Sequence, residues 1–260
     1  MDLGLNGKRA LVLGASRGIG AAIAEGLARE GASVFAAARS EDKIAAWAGK
    51  LGDLAGRVEA RRLDVSDIAA VDALADELLG AGGVDILLNN TGGPPPSDAL
   101  EAGRDVWLRQ FETMAANIFH LTQRLLPPMI ERRWGRVITV TSSGVEQPIP
   151  RLALSNGIRS AIVGWSKTLS NEVARQGVTV NILMPGRIHT QRVDELDAAN
   201  AERQGKSAAE IAEASAAGIP AGRYGQPQEF ADVAVFLASE RASYVTGTKI
   251  RIDGGATKGV

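Results

Sequence analysis

A glycine-rich turn close to the N-terminus restricts the fold more than any other feature of the chain. The apolar run 9–13 leads into it, and Gly14, Gly18 and Gly20 follow with the spacing Gly-x-x-x-Gly-x-Gly before an Ala-rich amphipathic segment. Glycines let the backbone turn tightly and approach a pyrophosphate, whose charge is met by N–H groups at the helix N-terminus. The pattern predicts a strand, a nucleotide-binding turn and a helix; a tight turn without a ligand is the alternative.

The same unit repeats along the chain. Short apolar runs alternate with turns and Ala-rich amphipathic segments, which is typical of right-handed βαβ units. Strands are predicted at residues 9–13, 33–37, 57–63, 85–89, 135–141, 178–184 and 249–252, and helices at residues 18–30, 41–50, 67–79, 104–132, 152–175 and 227–238. We therefore expect one α/β domain over residues 1–260, a Rossmann-type, doubly wound parallel sheet of seven strands with helices on both faces.

Two segments interrupt this rhythm, and each follows the carboxyl end of a predicted strand. Residues 91–97 include Pro94, Pro95 and Pro96, which predict a stiff extended loop that walls the ligand site. The segment from about 187 to 222 is charged and Ala-rich, with helical periodicity at residues 208–217. Its length and position predict a lid over the substrate, and a solvated surface insertion is the alternative.

Charge and composition exclude several classes of partner and site. The net charge is −1 with acidic and basic residues interspersed, so no broad field attracts nucleic acid or an anionic membrane. The absence of cysteine excludes disulfides, thiol nucleophiles and cysteine-ligated metals, and no metal site is predicted. No apolar stretch reaches the ~18 residues of a membrane span, and the N-terminus does not resemble a signal peptide. We expect a cytoplasmic protein.

The second predicted strand indicates which dinucleotide binds. NAD-binding folds generally place an acidic residue at the end of that strand, where it binds the ribose hydroxyls. Here the strand ends with Arg39 and no acid, and Arg17 stands inside the glycine turn. Two guanidinium groups can pair with a 2′-phosphate, so the predicted cofactor is NADP(H). Two exposed arginines without a ligand are the alternative.

Further motifs follow the glycine turn in a fixed order, namely Asp64-Val65, Asn89-Asn90-Thr91-Gly92, Asn117 and Pro185-Gly186. Together they resemble the short-chain dehydrogenase/reductase family. The Gly-Gly-Pro-Pro-Pro loop at residues 92–96, with Leu154-Ser155-Asn156 and Arg159, resembles the divergent ketoacyl-reductase-like members of that family, which lack the usual catalytic Tyr and Lys. The resemblance implies an oxidoreductase acting on a small carbonyl or alcohol substrate, and assembly as a homodimer or homotetramer. It also implies a set of cofactor-binding residues, namely Gly14, Ser16, Arg17, Gly18, Ile19, Gly20, Arg39, Asp64, Val65, Asn90, Gly92, Arg159, Pro185, Gly186, Ile188 and Thr190.

The catalytic segment departs from the family pattern. The family's Tyr-x-x-x-Lys falls on Ser155 and Arg159 in this chain, and the family's active-site Ser and helix Asn fall on Ser142 and Asn117. In the family the Tyr donates a proton to the carbonyl oxygen, and the Lys binds the nicotinamide ribose. A serine hydroxyl is a much weaker acid than a phenol of pKa ~10, whereas Arg159 can still bind the ribose and stabilise negative charge.

Two functions from different classes remain open at this point. The first is an NADP(H)-dependent reductase or dehydrogenase in which Ser142 and Ser155 orient the substrate oxygen, Arg159 holds the ribose, and a water at Asn117 relays the proton. The second is an NADP(H)-binding protein without turnover, acting as a sensor or as an inactive partner in a mixed oligomer. His189 either faces the substrate or, as we favour, is a surface loop histidine.

Overall fold

The computed structural model describes residues 1–259 and contains the expected seven-stranded parallel sheet, in the order β3-β2-β1-β4-β5-β6-β7. The predicted fold class is thereby confirmed. Every predicted strand is present, with bounds that differ from the prediction by at most two residues. The strands are β1 Arg9–Leu13, β2 Ser33–Ala38, β3 Val58–Arg62, β4 Ile86–Asn89, β5 Gly135–Val140, β6 Val178–Pro185 and β7 Lys249–Ile252.

Nine α-helices connect or flank the strands within residues 1–259. They are α1 Gly18–Arg29, α2 Glu41–Ala48, α3 Ile68–Gly80, α4 Arg104–Phe111, α5 Asn117–Glu131, α6 Ala153–Val173, α7 Gln191–Gln204, α8 Ala208–Ala217 and α9 Pro227–Ala238. The approximate ranges predicted for α8 and α9 agree with the observed bounds. Asp67 caps α3 instead of starting it, because its carboxylate accepts hydrogen bonds from Ala69 N and Ala70 N.

Two helical segments differ from the prediction. The single helix expected over residues 104–132 is divided by a π-helical turn, Glu112–Ala116, which separates α4 from α5. Apolar periodicity continues through the turn, so the extra residue leaves little trace in the sequence. Helix α7 was missed, because Gln191–Gln204 is strongly polar and has no continuous apolar stripe.

The sheet is covered on both faces, as a parallel sheet requires. Side chains of β1 alternate between two apolar cores, with Val12 in the core under α1, α2 and α9, and Leu11 in the core under α3, α5 and α6. The chain crosses from one face to the other between β3 and β4, so β1 and β4 lie side by side at the topological switch point. Ligands of open α/β sheets bind at the carboxyl ends of the strands at this point.

Bilayer insertion by a helix finds no support in the structure. Among residues 1–259, no helix has both the length and the apolar character that crossing a membrane requires.

Candidate functional site

The glycine turn lies at the switch point, between the ends of β1 and β4. Gly14 and Gly18 adopt the left-handed φ angles of 65° and 59°, which L-residues with side chains rarely tolerate. A Cβ on Gly14 would stand 2.5 Å from Asn90 O, and one on Gly20 would collide with Gly14 O. The turn therefore admits no side chain at these glycines.

The start of α1 is suited to an anion. Helix α1 has Arg17 at its N-cap, no side-chain cap and no acidic residue in its first turn, so N–H groups and the positive end of the helix dipole remain available. Ser16 is half-buried beside them, and Ile19 packs against the core. A cradle that excludes side chains and ends in free N–H groups fits the pyrophosphate of a dinucleotide.

A tryptophan that the sequence analysis did not single out holds the glycine turn in place through a hydrogen bond. Trp47, on α2, donates from Nε1 to Ala15 O at 2.9 Å, and Ala15 N donates to Ala37 O at 3.2 Å. The turn is thus tied both to β2 and to the helix that follows β2.

Arg39 and Asp64 lie at the ends of β2 and β3, on the side predicted to bind adenosine. Arg39 is exposed and forms no ion pair within residues 1–259. The Asp64 carboxylate accepts hydrogen bonds from Ser66 N at 3.0 Å and from Ser66 Oγ at 2.7 Å. These bonds lower the pKa of Asp64, and the positive charge of Arg39 lowers it further. Arg17, by contrast, pairs with Glu195 of α7 at 3.1 Å.

Asn117 follows the π-helical turn directly and reaches across to Val65. Its side chain is 5% exposed, and Nδ2 donates to Val65 O at 2.9 Å. The amide nitrogen therefore holds the turn that contains Asp64 and Val65 against α5.

Ser142 and the Arg159 guanidinium both lie at the carboxyl end of β5, and Ser155 lies one turn before Arg159 on α6. Ser142 follows β5, and its Oγ accepts a hydrogen bond from Gly144 N at 3.1 Å. Ser155 lies in the first turn of α6, is 8% exposed, and makes no side-chain hydrogen bond within residues 1–259. Arg159, one turn later, is 7% exposed and donates from Nη1 to Val140 O at 2.9 Å. Burial lowers the pKa of Arg159 to about 10, so the guanidinium stays protonated at neutral pH.

The end of β6 supplies the opposite wall. Gly186 N donates to Ile252 O at 3.0 Å, and a Cβ on Gly186 would stand 2.6 Å from the Cβ of Asp253. Pro185 is half-buried and Ile188 buried. Thr190 Cγ2 would lie 3.2 Å from a Cβ on Gly18, so this segment contacts the glycine turn.

The proline loop is docked onto the start of α6. Ser97 N donates to Arg151 O at 2.9 Å, and Ala153 N donates to Ser97 O at 3.1 Å. Arg151 adopts a positive φ of 63°, an uncommon conformation for a residue with a side chain. The end of the loop at Ser97 is therefore bonded to Ala153, two residues before Ser155 in the sequence. Gly92, at the beginning of the loop, is exposed and follows β4.

Asn156 clamps the loop that follows Ser142. Its Nδ2 donates to Ile149 O at 2.9 Å, and its Oδ1 would lie 2.5 Å from a Cβ on Gly144. The sequence resemblance includes Asn156 but gives it no role, because that role depends on a contact between the start of α6 and a loop seven residues earlier.

The charged segment after β6 forms α7 and α8 and is anchored at its root. Asp197, on α7, is 3% exposed, pairs with Arg187, and accepts a hydrogen bond from the Tyr224 hydroxyl at 2.8 Å. His189 is 58% exposed at its side chain and stands 3.5 Å from Asp194. The preference for a surface histidine agrees with this position.

The site has two ends. Arg39 and Asp64 mark one end, the glycine turn lies in the middle, and Ser142, Ser155 and Arg159 mark the other. Residues 1–259 contain no cluster of His, Cys, Asp and Glu that could hold a metal ion. Four residues contribute in ways that the sequence did not reveal, because each acts through a contact between separate elements of the fold: Glu195, Trp47, Asn156 and Asp197.

The chain is similar to known proteins over nearly its whole length. A family model described as enoyl-(acyl carrier protein) reductase matches residues 14–257. The chain is 38% identical over 254 residues to the 3-oxoacyl-(acyl-carrier-protein) reductase FabG of Vibrio cholerae, covering 97% of this chain and 98% of that protein. It is 35% identical to FabG of Escherichia coli, with the same coverage.

Solved structures with a similar fold contain a nucleotide. L-sorbose reductase from Gluconobacter frateurii, complexed with NADPH and L-sorbose, has a TM-score of 0.93 at 33% identity, and the match covers 100% of both chains. A variant of actinorhodin polyketide ketoreductase with NADPH has a TM-score of 0.91 at 31% identity, covering 97% of this chain and 98% of that chain.

Proposed function

Given that the chain belongs to the short-chain dehydrogenase/reductase family, we propose that it is an NADP(H)-dependent oxidoreductase that interconverts a carbonyl compound and a secondary alcohol. The observation that carries this proposal is an anion-binding glycine turn in the same crevice as a buried, protonated guanidinium at the end of β5. The names of the relatives support it, because they are reductases and two of the similar structures contain NADPH.

The cofactor would lie along the carboxyl ends of the strands, held by the residues that the sequence predicted. Arg39 favours a 2′-phosphate, because guanidinium groups bind phosphate well and no acid at the end of β2 competes for the ribose hydroxyls. Arg17 can also bind the 2′-phosphate if it gives up its ion pair with Glu195. Residues 187–222, which contain α7 and α8, would serve as the lid over the substrate within a single domain.

We assign the chemical step to the three residues at the end of β5. The bound nicotinamide supplies or accepts hydride. The hydroxyls of Ser142 and Ser155 orient the substrate oxygen, and Arg159 holds the nicotinamide ribose while its positive charge stabilises an oxyanion. Arg159 keeps its own proton, so a water at Asn117 carries the proton that the oxygen takes up.

Ser155 and Arg159 take the places of the Tyr and Lys in this proposal. Two counts support the assignment, since Arg159 stands eight positions before Lys167 and Ser155 stands thirteen positions after Ser142. The two residues are one helical turn apart and therefore share one face of α6, as a catalytic pair requires. The bond from Arg159 to Val140 O places that face at the end of β5, where Ser142 follows.

Arg39→Asp tests the cofactor assignment. We expect this change to weaken NADPH binding by roughly 1–3 kcal/mol, the scale of a lost charge-assisted contact, and to leave NADH binding unchanged or improved. Calorimetry with both nucleotides measures it, and Arg109→Asp on the exposed side of α4 is the matched control. Wild-type protein that binds NADH at least as tightly as NADPH would contradict the assignment.

Turnover is tested with NADPH and a panel of carbonyl compounds, followed at the nicotinamide absorbance. Substrate-dependent oxidation supports the proposed reaction, and Arg159→Ala should abolish it. Tight NADPH binding without oxidation by any carbonyl compound would instead indicate a non-catalytic NADP(H)-binding protein. An Arg159→Ala protein with full NADPH affinity and full activity would exclude Arg159 from the mechanism.

A further inference from the structure

Arg159 has more hydrogen-bonding capacity than the protein uses. A guanidinium carries five N–H groups, and only one bond, from Nη1 to Val140 O at 2.9 Å, is made within residues 1–259. The side chain is 7% exposed, and its unbonded Nε and Nη2 are not among the buried polar atoms without a partner, so they lie at the small part of its surface that is open to the crevice. The remaining N–H groups are left for something that the protein itself does not supply.

The charge of Arg159 is also uncompensated. None of the ion pairs formed within residues 1–259 includes it, and burial is the cause that lowers its pKa. A buried charge without a partner is costly, and an arginine cannot escape the cost by losing its proton as a lysine can. Ribose hydroxyls would satisfy hydrogen bonds but would bring no negative charge. An anionic group is therefore the missing partner.

The position of the guanidinium indicates where that anion would lie. Val140 is the last residue of β5, and Ser142 stands two residues further along the chain. Ser155 lies one turn before Arg159 on α6, so its hydroxyl points to the same side of the helix. A group held by Arg159 thus sits next to the two hydroxyls assigned to the substrate oxygen.

We propose that the substrate is an oxo acid or the corresponding hydroxy acid, whose free carboxylate binds Arg159 in a bidentate pair while the neighbouring oxygen meets Ser142 and Ser155. This inference rests on the proposed function and adds its substrate class. After the bond to Val140, four N–H groups remain, enough for two ribose oxygens and two carboxylate oxygens.

The reaction balances with this substrate. The carbonyl carbon receives hydride, the π electron pair of the C=O bond moves to the oxygen, and that oxygen takes one proton, which the water at Asn117 passes on from bulk solvent. The oxo acid is reduced and the nicotinamide is oxidised. The carboxylate remains bound to Arg159 throughout and keeps its charge.

Arg192 is the alternative cation at this site, and it differs from Arg159 in two respects. It lies on α7 at 4.0 Å from the position of a Cβ on Gly93, but its side chain is 47% exposed and stands 3.7 Å from Glu195. A solvated arginine that already has an acidic neighbour gains little from a further carboxylate. It therefore provides a control for Arg159.

Oxamate and oxamide have similar shapes, but oxamate carries a carboxylate where oxamide carries an uncharged amide. Comparing their binding therefore tests the contribution of the negative charge. Each is titrated by calorimetry into the protein with and without saturating NADP⁺. We expect oxamate to bind at least about tenfold more tightly than oxamide, in keeping with a charge-assisted bidentate pair. Arg159→Gln should reduce that preference to within about twofold, Arg159→Lys should keep part of it, and Arg192→Gln should leave it intact.

Equal binding of the two compounds to the wild-type protein would overturn the inference, whatever the variants do. A preference that survives in Arg159→Gln but disappears in Arg192→Gln would overturn the assignment to Arg159. The wild-type comparison does not depend on the folding of any variant.

Turnover distinguishes this inference from the proposed function. 2-Oxobutanoate is compared with its ethyl ester, and acetoacetate with ethyl acetoacetate, and the free acids should have the higher kcat/KM. Esters that react at least as well as the acids would overturn the carboxylate assignment and leave the oxidoreductase intact. Preferential oxamate binding without reduction of any carbonyl compound would support the anion site and reject the proposed reaction.

Discussion

Two buried arginines of this protein show how differently one residue type can be used. Arg136, on β5, is 2% exposed, donates to Ser239 O at 3.0 Å and Gly135 O at 2.9 Å, and lies 4.3 Å from the Trp134 ring centroid. Arg159 is nearly as buried but makes one hydrogen bond. The protein satisfies most of the hydrogen-bonding groups of Arg136, whereas it satisfies one of Arg159 and leaves the others to a ligand.

Replacement of Arg159 by Met should therefore stabilise the protein in the absence of ligands. We expect Arg159→Met to raise the free energy of unfolding by about 1–3 kcal/mol, because a methionine fills much of the space without a buried charge. Arg136→Met should lower it, because the hydrogen bonds to the carbonyls of Ser239, Gly135 and Gly177 and the contact with the Trp134 ring are lost. Urea unfolding of both variants measures the contrast. A destabilised Arg159→Met protein would contradict this account.

At the scale of elements, the turn between Arg223 and α9 is held by a carboxylate at the helix N-terminus. Glu229 accepts a hydrogen bond from Gln226 N at 2.7 Å and pairs with Arg223 at 2.6 Å. The Arg223 guanidinium, followed by the Gln226 bond, lowers the pKa of Glu229 to about 2 from 4.5. This turn also carries Tyr224, which binds Asp197, so the anchor of the lid adjoins it.

Low pH should weaken the turn that precedes α9 and lower the free energy of unfolding. Because the pKa of Glu229 is lower in the folded state, its stabilising contribution is complete above pH 4.5 and is lost as the pH falls towards 2. Glu229→Gln should therefore make the decline of the unfolding free energy over this range shallower. Unfolding by urea across a pH series measures the slope, and Glu101→Gln, an exposed position without an ion pair in residues 1–259, is the control. An unchanged slope in Glu229→Gln would count against the pair.

Sequence patterns predicted the elements better than the contacts between them. The strands and the glycine turn were accessible because burial on both faces and a left-handed Gly14 leave local signatures. The polar helix α7 left none. Trp47 and Glu195 contact segments that are distant in the sequence, and Asn156 contacts a loop that folds back onto the start of α6. No local pattern therefore reveals these three residues. The location of Ser155 and Arg159 near Ser142 followed from register, but the isolation of the guanidinium required the packed structure.

At the scale of the whole molecule, apolar side chains remain uncovered in two regions of the single chain. Leu108 and Phe111, three residues apart on α4, are 51% and 40% exposed. Phe236, on α9, is 39% exposed, and Tyr244, shortly before β7, is fully exposed. Aromatic and aliphatic groups of this size commonly mark contacts between subunits. We propose that these surfaces join copies of the chain in the predicted homodimer or homotetramer.

Light scattering at micromolar protein concentration should report a dimer or tetramer. Leu108→Glu combined with Phe111→Glu should shift the distribution to smaller species, because a charge at each position would be buried on association. Leu100→Glu, at an exposed loop position, should have no such effect. A wild-type protein that is monomeric at this concentration would refute the assembly.

The indole of Trp47, which donates a hydrogen bond to Ala15 O at 2.9 Å, is an intrinsic fluorophore at the glycine turn. Trp107 provides a second, since its ring lies 3.0 Å from the position of a Cβ on Gly157, two residues after Ser155. One fluorophore therefore contacts the glycine turn, and the other packs against the first two turns of α6, the helix that carries Ser155. With Phe replacing each in turn, the emission change on adding nucleotide should follow Trp47, and the change on adding a carboxylate should follow Trp107. The order in which two ligands enter can thus be followed by fluorescence without any chemistry taking place.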